Sequence, residues 1–94
     1  MNYRIRVSNK AQKTLKKLGR SGKFNPTVLN KILRLLEKGR VLPEQYKNHQ
    51  LQGDLTGFSE CHIGFNLLLQ YERDEVLRLI TIAKIGTHQE LFGE

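Results

Sequence analysis

Phe58-Ser-Glu-Cys-His-Ile63-Gly-Phe-Asn-Leu67-Leu-Leu-Gln-Tyr-Glu72-Arg-Asp-Glu-Val76-Leu-Arg-Leu-Ile-Thr-Ile-Ala-Lys84 is the stretch that decides the fold. It holds three strand-like runs, over 58–63, 67–72 and 76–84, separated by turn signals at Gly64-Phe65 and Asp74-Glu75. Connections this short force neighbouring strands to run antiparallel as a meander. Leu51-Gln52, ended by Gly53-Asp54, reads as a further short strand beyond the loop 40–50.

Upstream, the periodicity changes. Tyr3, Ile5 and Val7 alternate with Asn2, Arg4 and Arg6, which predicts a half-buried strand over 2–7. Ser8 is placed to cap a helix in which Ala11, Leu15 and Leu18 recur at helical spacing before Gly19. After a turn over 20–24, Asn25-Pro26 opens a second helix whose Val28, Leu29, Ile32, Leu33, Leu35 and Leu36 form an apolar stripe ending near Gly39. Two helices joined by a short turn make an antiparallel hairpin whose apolar face needs a sheet to cover. The expected fold is therefore α+β, with the N-terminal strand and the helix hairpin packed on a mainly antiparallel twisted sheet, and 1–94 forming a single domain.

The charge is unevenly spread. The net charge is +7, yet residues 1–48 carry thirteen Lys/Arg against two acids, and residues 49–94 carry three against seven. All three histidines lie in the second half. The helical half presents Lys10, Lys13, Lys16, Lys17 and Arg20, joined by Lys47 in the loop, a surface suited to RNA or to an acidic protein segment. No apolar run is long enough to span a membrane, and the opening residues lack a signal-peptide layout. With Cys61 alone there is no disulfide framework, and a reducing cytoplasm is expected.

The meander also gathers polar residues. In an antiparallel pair the end of one strand lies beside the start of the next, so His62 and Asn66 share a sheet end. Lys84, Thr87 and His88 return to that same end. Singly, each has an ordinary explanation: a surface histidine, a turn asparagine, an edge lysine that discourages aggregation. Their convergence is what points to a site. Zinc is disfavoured, because Cys61 and His62 are adjacent on a strand and point to opposite faces, and no Cys-x-x-Cys or His-x-x-His spacing exists. Cys61 alternates with Ile63 and Phe65 as a core residue would. Histidines with a lysine and no metal fit RNA phosphodiester cleavage, where the substrate's own 2′-hydroxyl attacks and the protein moves protons and stabilises charge. Phe92 could stack on a base.

Tyr46-Lys-Asn-His-Gln-Leu-Gln-Gly53, Glu60-Cys-His62, Leu68-Leu-Gln-Tyr71 and Ile85-Gly-Thr-His-Gln-Glu-Leu-Phe92 together resemble the YafQ-type toxins of the RelE/ParE superfamily, over about residues 42–93. The resemblance implies a RelE-like fold with a short helical or extended C-terminal tail. It also implies a bacterial type II toxin that cuts mRNA in the ribosomal A site, without cofactor or metal. Its partner would be a cognate antitoxin encoded beside it, in a hetero-oligomer, the free toxin being monomeric. By position, His49, His62 and His88 match the family's active-site histidines and Phe92 its tail aromatic. Lys84 stands where many relatives have arginine, Asn66 where YafQ proper has aspartate, and Leu67 where it has tryptophan. Lysine keeps the charge without the bidentate fork, and asparagine accepts no proton, so acid–base work falls to the histidines. The alternative is a protein of this fold without ribonuclease activity, directed at gyrase or binding nucleic acid through its helices alone.

Overall fold

The protein, described by a computed structural model over residues 2–22 and 24–93, is α+β. Its first strand, β1 (Arg4–Val7), leads into α1 (Asn9–Ser21) and α2 (Pro26–Glu37). A 3₁₀ turn at Glu44–Tyr46 precedes β2 (His49–Gln50), and another at Gly53–Leu55 precedes the meander. The meander is β3 (Phe58–Gly64), β4 (Leu67–Asp74) and β5 (Leu79–Gly86), and α3 (His88–Phe92) closes the chain. The sheet order is β1-β5-β4-β3-β2, with β1 parallel to β5 and every other pairing antiparallel.

Local chemistry sets the boundaries. The Ser8 hydroxyl accepts from the Ala11 amide and the Asn25 side chain from the Thr27 amide, as expected of N-caps. Helix α2 ends where Gly39, at φ +70°, lets its own amide reach the Leu36 carbonyl and the Arg40 amide reach Leu35. Helix α1, in contrast, runs through Gly19 to Ser21 and stops at Gly22, at φ +71°. Glycine inside an exposed helix face costs about 1 kcal/mol, too little to end the helix. The turn expected over 20–24 includes Lys23, which lies outside the described residues.

Three strand expectations are corrected. The short strand is His49–Gln50 and not Leu51–Gln52, because His49 pairs with Glu60 and Gln50 with Ser59. Strand β5 begins at Leu79 and not Val76, because Asp74 Oδ1 accepts from the Val76 and Leu77 amides and Arg78 takes φ +54°, which completes a longer turn. Phe65 is not core. A register shift between His62 and Gly64 ends the alternation, and the ring stands in solvent at the turn.

One apolar layer joins the helices to the sheet. Ala11, Leu29, Ile32 and Leu36 pack with Cys61, Ile63, Leu69, Tyr71, Ile80, Ile82 and Ile85. The opposite face of the same strands carries mostly polar side chains, with Leu68 buried there as well.

Candidate active site

Read across the strands, the register writes one row on that open face: His49 opposite Glu60, Glu60 opposite Gln70, Gln70 opposite Lys84. Among the described residues, Glu60 and Gln70 are the buried polar ones, and Gln70 Nε2 donates to Glu60 Oε2 at 3.0 Å. The other carboxylate oxygen lies 3.4 Å from His49 Nε2, while His49 Nδ1 is 2.8 Å from the Lys47 carbonyl. Both ring nitrogens thus face oxygen atoms of the protein. Lys47, at φ +51°, contributes through its backbone as well as its exposed charge. The next row is His62 opposite Leu68 and Leu68 opposite Gly86. His62 is half-buried and has no hydrogen-bond partner among the described residues.

Simple alternation would put Lys84 on the same side as Ile80 and Ile82, inside the core. A bulge prevents this: Gln70 pairs with Lys84 but Tyr71 pairs with Ile82, leaving Ala83 as the extra residue. The carbonyl of Ala83 is met by the Ser8 hydroxyl at 2.7 Å, and the Ile82 carbonyl by the Ser8 amide at 3.0 Å. One serine therefore caps α1 and secures the bulge that turns Lys84 outward. Lys84 forms no ion pair among the described residues.

The tail is equally specified. Gly86 lies against α3 so closely that a Cβ there would come within 3.1 Å of Glu90 Oε1 and 3.3 Å of Leu91 Cδ2. Thr87 then caps α3: the Glu90 amide donates to its hydroxyl, and the Thr87 amide donates to Glu90 Oε1. The cap fixes His88 on the exposed side, with Phe92 one turn on and the two rings 4.6 Å apart. Each residue of the Gly-Thr-His-x-x-Leu-Phe run thus has a physical task.

Of the residues expected at the site, His62 and His88 stand at one sheet end, with Lys84 and His49 one row further in. Asn66 takes φ +54° at the exposed turn, the backbone conformation asparagine tolerates best among non-glycine residues. Lys10, Lys13, Lys16, Lys17 and Arg20 are exposed along α1. Glu60 and Gln70 were not foreseen as part of the site. The available signal was two polar residues in strands whose neighbours are otherwise destined for burial. Cys61 faces the core, where burial, and secondarily the Glu60 carboxylate, push its thiol up to about 12, so it is no nucleophile at neutral pH. A groove of about 550 Å³ lies not over the histidines but outside α2, lined by Lys31, Arg34, Lys38 and Arg40 among others. The histidine face is open, which suits a polymer strand more than a small ligand.

This α+β fold is shared, over nearly the whole chain, with solved bacterial toxins. A metal-bound toxin from Helicobacter pylori is 35% identical, with 98% of this chain and 100% of that one covered and a TM-score of 0.87. The toxin in the Escherichia coli DinJ-YafQ toxin-antitoxin complex is 29% identical, with 99% and 100% covered and a TM-score of 0.86. The mRNA interferase toxin YafQ of Escherichia coli K12 is 29% identical over 89 residues, 95% of this chain and 84% of that protein. The model of the family described as "Bacterial toxin of type II toxin-antitoxin system, YafQ" matches residues 3–93, and the chain belongs to that family.

The metal in the Helicobacter pylori protein raises the question of a donor set in this one. Among the described residues, no three His, Cys, Asp or Glu side chains gather to hold an ion. Cys61 faces the core, and His49 Nδ1 is engaged by a carbonyl. These residues do not fit a metal, and no step is routed through one.

Proposed function

We propose that this chain is the toxin of a type II system that cleaves mRNA, without a metal, on the open face of its sheet. The carrying observation is the cluster of His49, His62, Lys84 and His88 on elements of a YafQ-family fold. His62, with unengaged ring nitrogens, takes the proton from the 2′-hydroxyl. The 2′-oxygen attacks phosphorus, the bond to the 5′-oxygen breaks, and His88 gives that oxygen its proton. The ends left are a 2′,3′-cyclic phosphate, or the 3′-phosphate from its opening, and a 5′-hydroxyl. Lys84 offsets the charge growing on the phosphate, assisted by His49, which Glu60 and Lys47 hold in place. Glu60 and Gln70 act as positioning residues, since they are the buried members of the row. Phe92 steadies the His88 ring.

The relatives named above are described as an mRNA interferase and as a partner of the DinJ antitoxin. The same relationships suit this chain: a cognate antitoxin encoded nearby, and mRNA presented in the ribosomal A site. The basic face of α1, together with Lys47, would contact ribosomal RNA or an acidic antitoxin segment, and a segment covering it and the sheet edge would block both. Among the described residues no helix is long and apolar enough to cross a membrane, and a cytoplasmic site of action follows from the substrate. His88→Ala tests the reading. A general acid contributes about 10²–10⁴-fold, so the variant should lose growth arrest and RNA cleavage by that order while still binding antitoxin. Undiminished cleavage would remove His88 from the mechanism.

A further inference from the structure

We propose that Phe65 is a base-stacking platform for the RNA strand entering the open sheet face, an inference that rests on the ribonuclease reading above. Single-stranded RNA is held by stacking its bases on aromatic rings, because unpaired bases expose their faces. The chain has three tyrosines, four phenylalanines and no tryptophan. Six of the seven rings are committed elsewhere. Tyr3 lies beneath Arg78 and bonds Glu75, and Tyr46 and Tyr71 are buried. Phe24 packs against the core, Phe58 is half-buried at the far end of β3, and Phe92 lies against His88. Phe65 alone is fully exposed.

Exposure by itself carries little, since Val41, Val76 and Leu77 are exposed too. Position distinguishes Phe65. It sits in the β3–β4 turn, three residues from His62, and so within about 10 Å of chain from the proposed base. His62 pairs with Leu68 and Leu68 with Gly86, which leads directly to His88. The turn is held firmly: Gly64 pairs with Leu67, whose side chain packs on the core, and Asn66 closes the reversal at φ +54°. The ring is therefore presented at a fixed place without cover.

The test uses Phe65→Trp, the only tryptophan in that protein, with a short 2′-O-methyl RNA that lacks the attacking hydroxyl and cannot be cut by the proposed route. Binding should quench the tryptophan emission, and an abasic residue at the stacked position should restore it. Phe65→Ala should weaken binding of this oligonucleotide about tenfold and raise KM for cleavage, while Phe65→Tyr should not. Val76→Ala, exposed at the far β4–β5 turn, should bind it as the unaltered protein does. Unquenched emission from a bound oligonucleotide, or unchanged binding and cleavage by Phe65→Ala, overturns the assignment and leaves the ribonuclease reading standing. A Phe65→Ala defect confined to antitoxin binding likewise overturns it, as a protein-docking role. If the unaltered protein neither binds nor cuts RNA, free or on ribosomes, the ribonuclease reading falls and this one with it.

Discussion

The two faces of the sheet are built from the same strands, yet they do opposite work. Beneath the helices, Cys61, Ile63, Leu69, Ile80 and Ile82 are buried almost completely. On the other side, Glu60, His62, Gln70 and Lys84 lie within a residue or two of them in the chain, and His49 joins that side from β2. Strand alternation makes this division possible, and the Ala83 bulge moves Lys84 from the first face to the second. On the proposed function, stability and chemistry are separated by which way a side chain points, not by where it lies in the sequence.

That separation is open to direct attack. On the covered face, Ile80→Ala removes a fully buried side chain and should cost about 2–5 kcal/mol, read as a fall in thermal midpoint. Cleavage per folded molecule should persist. On the open face, Lys84→Ala should leave the midpoint nearly unchanged and lower cleavage about 10²–10³-fold, the range for losing one charge-stabilising contact. If the two variants exchanged phenotypes, the division of labour would be wrong.

Ser8 joins the two faces and sharpens the comparison. Ser8→Asp keeps a side-chain acceptor for the α1 cap but loses the donor to the Ala83 carbonyl. Its stability should change by about 1 kcal/mol, with a clear loss of cleavage as Lys84 loses its support. Ser8→Thr, which retains the hydroxyl, should recover activity. An active Ser8→Asp enzyme would mean the bulge holds itself.

The last effect, absent at neutral pH, concerns Cys61. Its folded thiol titrates at about 12 against an ordinary value of 9.0. The unfolded chain gives up this proton first as pH rises, so the stabilisation is full below pH 9 and is lost between 9 and 12. The loss is on the order of 1 kcal/mol per pH unit. Denaturant melts of Cys61→Ala and the unaltered chain should run parallel in pH below 9, and above it the unaltered chain should lose stability more steeply; parallel slopes throughout would show the thiol reaching solvent.

Much of this was readable from residue order. Ser8 and Asn25 announce their helices because short polar side chains satisfy orphaned amides locally, and the meander follows from turns too short for any crossover. Parts that depend on distant partners were not readable. The pattern Ile80, Ile82, Lys84 gives no hint of a bulge whose carbonyl is met by Ser8. Nor do Glu60 and Gln70 reveal themselves as partners until the register sets them opposite each other. Val76 and Leu77 look like strand because nothing adjacent shows that Asp74 will take up both their amides. His49 was known by resemblance alone. Its place at the site comes from pairing with Glu60.

The central claim is that the open face cuts RNA through the substrate's own 2′-hydroxyl with histidine acid–base chemistry. The most direct measurement maps cleavage of an mRNA, free and in a programmed ribosome. Chelator that leaves the ribosome intact is added for the second, and a matched strand carries one 2′-deoxy residue at the cut position. The account predicts 2′,3′-cyclic phosphate or 3′-phosphate and 5′-hydroxyl ends, with no cut at the deoxy position. Cleavage at the deoxy position, or 5′-phosphate ends, would contradict it.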